Sequence, residues 1–218
     1  MGLVKYLLFE KKYGFLLLFI YNINTLKNNG YIAMNNDIEQ ISKQVLTECE
    51  YFMNQSNEHV LYRGFRPQYL SNEYYTVTSG HVQNRRSRSR IKEELVYQIN
   101  YYSKTNYGFP FRDSLCCTGS YRIASSFSGP ENVCAVFPID RFRYLWSPIV
   151  GDWGETFGVS PLFNEHPDVQ KCLTSLLNEH LDEGISSGNE VAIFCEQVYA
   201  IPIIYHNEPN PLLTMIYK

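Results

Sequence analysis

Read for its apolar and polar positions, the chain divides into stretches of helical and of strand periodicity. Ile38, Ile41, Val45, Cys49, Phe52 and Met53 recur at three- and four-residue spacing. This predicts a packing helix from a cap at Asp37 to about residue 54. A polar turn leads into His59-Val60-Leu61-Tyr62-Arg63-Gly64, a sheet-like run ended by Phe65-Arg66-Pro67 because proline cannot continue a ladder. Ile91, Leu95, Ile99 and Tyr102 mark the buried side of a second amphipathic helix. Residues 111–120 then read as a strand ending in small hydroxyl and glycine residues, and 121–127 as a helix with Ile123, Ala124 and Phe127 on one side. Two further strand-like runs, 132–139 and 142–146, predict a hairpin around Asp140-Arg141. Loops and short helical turns are expected up to Pro167. From there Val169, Leu173, Leu176, Leu177, His180 and Leu181 predict a helix to Gly184, with His180 a partly buried surface residue. After a turn-forming stretch, Glu190 opens a strand with its carboxylate at the sheet edge, and Val198 to Ile201 form another before a proline-rich tail. Helices alternating with short aromatic strands predict an α+β domain, two small and mostly antiparallel sheets around a cleft and flanked by helices.

Composition narrows this picture. With 218 residues, 44% of them hydrophobic, the chain can bury one core. Its 18 tyrosines favour half-buried strands and clefts that bind planar rings. A net charge of −3 gives no global pull toward nucleic acid or membrane. Six cysteines without a C-x-x-C pair read as reduced thiols in a cytosol-like compartment, with no metal site. Near the N-terminus Lys5, Lys11 and Lys12 precede the apolar run 14–21. That pattern is signal-like, but Asn22 and Asn24 interrupt it and it is shorter than the roughly 20 residues of a membrane span. We therefore read residues 1–33 as an extension, 34–218 as a single domain beginning at Met34, and the location as cytoplasmic, with secretion the alternative. The one dense charge block holds Arg85, Arg86, Arg88 and Arg90. Such a loop suits the phosphates of a nucleotide or of a nucleic-acid acceptor, against the plainer reading of a solvated basic loop.

Three places carry candidate chemistry. Arg63 stands inside an apolar strand, where a guanidinium facing a cleft is a clamp for phosphate or carboxylate oxygens. The small-residue turn after 115–117 presents N–H groups and hydroxyls at a helix start, where the polar groups of a nucleotide bind. Glu190 follows a glycine-containing loop at a strand start. A thiol enzyme built on Cys116 or Cys117 finds no support, because His59, His81, His166, His180 and His206 bear no recognisable relation to either cysteine.

Taken in order, Tyr62-Arg63-Gly64, then Cys117-Thr118-Gly119 with Ala124 and Phe127 following, then Glu190-Val191-Ala192 resemble the arginine, serine and glutamate signature of ADP-ribosyltransferases of the cholera-toxin-like branch. The likeness spans roughly residues 60–204. It implies an NAD-binding cleft in an ADP-ribosyltransferase-like fold, NAD⁺ as substrate, and mono-ADP-ribosyl transfer to a protein or nucleic acid by a toxin or effector. The resemblance gives Glu190 the developing oxocarbenium charge, Arg63 the dinucleotide phosphates and Thr118 the ribose or the arginine. Gly64, Cys117, Gly119 and Phe127 join Arg63 and Thr118 in holding the dinucleotide. Two departures stand beside it. The middle motif keeps Thr118 as its one hydroxyl, so the serine's role falls to Thr118, Ser114 or Ser120. Gly188 also occupies the place where arginine-modifying members carry Glu or Gln, which with the basic loop points to an anionic acceptor and a positive local charge. A catalytically inactive binding module of the same fold is the alternative.

Overall fold

The computed structural model describes residues 29–66, 74–80, 92–157 and 168–217. Helix α1 (Asn29–Glu48) and helix α2 (Glu50–Ser56) carry the first apolar stripe. Ile38, Val45, Cys49 and Phe52 are buried as the spacing predicted. The cap does not fall at Asp37, however, because α1 is already helical eight residues earlier, and both Met34 and Asp37 lie inside it. Strand β1 (Leu61–Gly64) follows with Arg63 in it, then β2 (Thr76–Ser79) and α3 (Glu93–Tyr107), whose Ile99 is fully buried. Ile91 and the loop with Arg85, Arg86, Arg88 and Arg90 lie outside the described residues, as do Pro167 and residues 1–28.

Next come β3 (Leu115–Thr118) and α4 (Tyr121–Ser128), capped by the Ser120 hydroxyl accepting from the Ile123 N–H. Then follow a single 3₁₀ turn (Pro130–Asn132), β4 (Val133–Pro138), β5 (Arg143–Trp146), α5 (Trp153–Thr156), α6 (Val169–Thr174) and α7 (Leu181–Ser186). The chain closes with β6 (Glu190–Phe194), β7 (Gln197–Pro202), the short pair β8 (Ile204–Tyr205) and β9 (Glu208–Pro209), and α8 (Pro211–Ile216). The proline-rich tail is thus partly ordered, with Pro211 at the helix start where its missing N–H costs nothing.

The architecture is α+β, with helices flanking antiparallel strands. Instead of two small sheets, the seven longer strands form one sheet in the order β2-β7-β4-β1-β3-β6-β5. This sheet has a seam, since β1 meets β3 at one register pair, Tyr62 opposite Thr118, while β1–β4 and β3–β6 each run for four. The predicted hairpin is also corrected. Both edges of β4 are taken, by β1 and β7, so β5 has no place beside it and pairs with β6. The link departs through Asp140, whose φ is +58° and whose N–H donates to Glu48 O at 2.8 Å. Likewise the helix expected over 167–184 is two short ones. Leu177 leaves it to exchange backbone hydrogen bonds with Trp146 (3.0 and 2.8 Å), and His180 takes a left-handed φ of +55° before α7.

Apolar layers cover both faces of the sheet. Val191 and Ile193 belong to the core cluster that also holds Val45, Phe52 and Leu212 of α1, α2 and α8, whereas Ala192 between them belongs to the one with Ile99, Phe111, Trp153 and Leu173. This alternation explains why β6 reads as an unbroken apolar run after its glutamate. Each fully buried large side chain contributes about 1.5–3 kcal/mol. Among the described residues no helix is long and apolar enough to cross a membrane.

Candidate functional site

The seam in the sheet opens into a cleft of about 300 Å³. Its walls include Tyr62, Arg63 and Gly64 from β1, Cys116, Cys117 and Thr118 from β3, and Ile123, Ala124 and Phe127 from α4. Gly188 and Glu190 line it from the start of β6. The register explains the convergence, because Tyr62 pairs with Thr118 and Thr118 pairs with Glu190, a row across three neighbouring strands with Arg63 beside it. Helix α4 lies close over β1 because Gly64 has no side chain; an added Cβ there would stand 2.2 Å from Ser128 Oγ. Of the residues singled out from the sequence, Arg63, Gly64, Cys117, Thr118, Phe127 and Glu190 all line this cleft. Gly119 does not: it sits under α7, against the carbonyl of Ile185.

Arg63 donates from Nη1 to the Cys116 carbonyl, and its guanidinium lies 5.6 Å from the centre of the Phe65 ring. Among the three hydroxyls considered, Thr118 alone faces the cleft. Ser114 is fully buried and donates to Pro110 O at 2.6 Å, and Ser120 is spent as the cap of α4. Thr118 Oγ1 donates to Gly188 O at 2.6 Å and accepts from the Ser120 N–H at 3.1 Å. A hydroxyl has one proton and two lone pairs, so what remains for a ligand is an acceptor. The same bond ties the turn after β3 to the loop before Glu190. Phe127 keeps 59% of its surface exposed, leaving an aromatic ring at the cleft wall.

Glu190 does not sit at the sheet edge. Strand β6 lies between β3 and β5, and its glutamate is 8% exposed. A carboxylate so placed requires donors. Arg112 Nη1 lies 2.9 Å from Oε1, and the Trp153 N–H donates to Oε2 at 3.0 Å. The backbone is held too, with the Glu190 N–H donating to Gly151 O at 2.7 Å. Arg112, with Gly151, Asp152, Gly154 and Glu155, forms a wall of the cleft that the motifs did not mark. The signal for Arg112 is in the sequence: it is a charge next to the aromatic residues Phe109 and Phe111, as Arg63 is a charge within an apolar strand.

The basic loop on which the expectation of a positive site rests lies outside the described residues. Among the described residues Asp152, Glu155 and Glu190 line the cleft together with Arg63 and Arg112, so this lining carries mixed charge. Burial and then the nearby Glu190 charge push the Asp152 carboxyl above its usual range, partly opposed by its hydrogen bond from the Glu155 N–H and by Arg112. The cysteines are free thiols, all buried except Cys116, which is partly exposed. Burial raises the Cys49, Cys134 and Cys195 thiols to about 12, which leaves them unreactive. Comparisons with protein-family models, curated proteins and solved structures return no match.

Proposed function

We propose that the chain is an NAD⁺-dependent mono-ADP-ribosyltransferase with a protein or nucleic-acid acceptor. The reading is carried by one observation: the arginine, hydroxyl and glutamate that resemble the family signature come from three adjacent strands and line a single cleft. In this chemistry the bond from nicotinamide nitrogen to ribose C1′ breaks, and its electron pair leaves with neutral nicotinamide. The ribose is left as an oxocarbenium ion. The acceptor's nucleophile then bonds to C1′ and releases a proton. Glu190, fixed by two donors, offers its carboxylate to the developing positive charge and to the ribose 2′-hydroxyl. Arg63 supplies a guanidinium for the diphosphate. Thr118 accepts from a ribose hydroxyl, and the exposed Phe127 ring offers a face to a planar base.

Incubating the purified chain with NAD⁺ and measuring released nicotinamide tests this. Glu190→Ala should lower release by about 10²- to 10³-fold. No release from the wild type ends the reading. A second reading, a module that binds without turnover, is favoured by the reduced hydroxyl content of Cys117-Thr118-Gly119 and by the engagement of both Glu190 oxygens. NAD⁺ binding by calorimetry without nicotinamide release would support it.

A further inference from the structure

We propose that Arg112 is the positioning residue for Glu190, holding its carboxylate in the one orientation that faces the ribose; this rests on the transferase reading above. Arg112 comes from the loop after α3, on which it is fastened by its own N–H donating to Asn100 Oδ1 at 2.6 Å. Its side chain is 9% exposed and that of Glu190 10%, yet both reach the cleft. Together with the Trp153 N–H it engages both carboxylate oxygens, which fixes rotation about the last bond of the glutamate side chain.

Stability alone is a poor explanation for the pair. A buried ion pair gains little over apolar residues of the same volume. Arg112 Nε, moreover, is buried without a hydrogen-bond partner among the described residues, a cost that a purely structural arginine would shed. The arrangement is better explained by the need to present a charged carboxylate in a fixed pose. Among the described residues the charged groups that share the cleft with Glu190 are Arg112, Arg63, Asp152 and Glu155, and Arg112 Nη1 is in direct contact with its carboxylate.

The test compares nicotinamide release by wild type, Arg112→Gln and Arg112→Lys over a range of pH. Arg112→Gln should lower kcat by about 100-fold with KM for NAD⁺ nearly unchanged, as expected when a group acts on the transition state. Because the carboxylate then loses the positive charge of Arg112 beside it, the pH below which activity is lost should rise by about one unit, and raising the pH should recover part of the rate. Arg112→Lys should keep the wild-type acid limit with kcat down about tenfold. If Arg112→Gln fails to fold, Arg112→Lys decides: a wild-type kcat overturns the proposal. A raised KM with unchanged kcat in either variant also overturns it, since Arg112 would then bind the dinucleotide. So does an unmoved acid limit in a folded Arg112→Gln. Absence of release from the wild type overturns the transferase reading itself, whereas an active wild type with kinetically silent variants overturns only the role of Arg112.

Discussion

A Cβ added to Gly119 would lie 1.8 Å from the carbonyl oxygen of Ile185, a separation no pair of non-bonded atoms tolerates. The turn after β3 is therefore seated directly on α7, the helix whose end leads to Glu190. Gly119→Ala must push the two apart, at a cost of about 2–3 kcal/mol. Thermal unfolding should show a fall in Tm of roughly 5–10 °C.

Arg112 and Glu190 should be strongly non-additive in stability. Removing either partner breaks a buried ion pair and costs about 3–5 kcal/mol. The double replacement Arg112→Met with Glu190→Gln should cost far less than the sum. Urea unfolding of the two single variants and the double checks this, and simple additivity would show that the pair is solvated.

Asp152 sets a pH dependence with a definite sign. Its folded carboxyl is raised by burial and by Glu190, so the folded state holds that proton more tightly than the unfolded chain. Stability contributed by the protonated form is present below the unfolded carboxylate value and is lost as pH rises through the raised one. Asp152→Asn keeps a good cap for α5 and removes the penalty, so it should be more stable than wild type at pH 7. The difference should vanish toward about pH 3, where Asp152 is protonated in both states. Urea midpoints measured at the two pH values test it.

The thiols should react in order of exposure. Cys116 lines the cleft and is partly exposed, while the other five are buried. A thiol reagent should modify Cys116 first and reach the rest only in denaturant. Under the proposed function, NAD⁺ should slow the first reaction. Loss of nicotinamide release in Cys116→Ser would revive the thiol-enzyme reading.

The basic loop gives the last test. Replacing Arg85, Arg86, Arg88 and Arg90 with alanine should weaken transfer to an anionic acceptor and leave NAD⁺ hydrolysis largely intact. Each lost phosphate contact should reduce the salt slope of acceptor binding by about 0.7–0.9. A parallel fall in both activities would assign the loop to the dinucleotide.

What was legible in the sequence was local. The stripe from Ile38 to Phe52, the arginine strand, the small-residue turn into the helix after β3 and the strand opened by Glu190 each follow from spacing or turn chemistry within a few residues. What failed was non-local. Sequence adjacency predicts a hairpin between β4 and β5, but β1 and β7 occupy both edges of β4 and so decide its partners. The helix expected over 167–184 was broken by a bridge to Trp146, far away in the chain. Arg112 belongs to the same class, since nothing in its own neighbourhood names Glu190 as its partner.

The single register pair joining β1 to β3 also has a mechanical meaning. Two well-knit blocks, β2-β7-β4-β1 and β3-β6-β5, meet along a line closed by Tyr62 and Thr118, with the Tyr121 ring of α4 packed edge-on against Tyr62 at 6.0 Å. Amide exchange should follow that division, with protection in the middle of each block exceeding that at the line between them. A ligand lying from Arg63 to Glu190 straddles the line and acts as a staple. Its largest effect on exchange should then fall on the amides of the joint, and the blocks on either side should barely register its arrival.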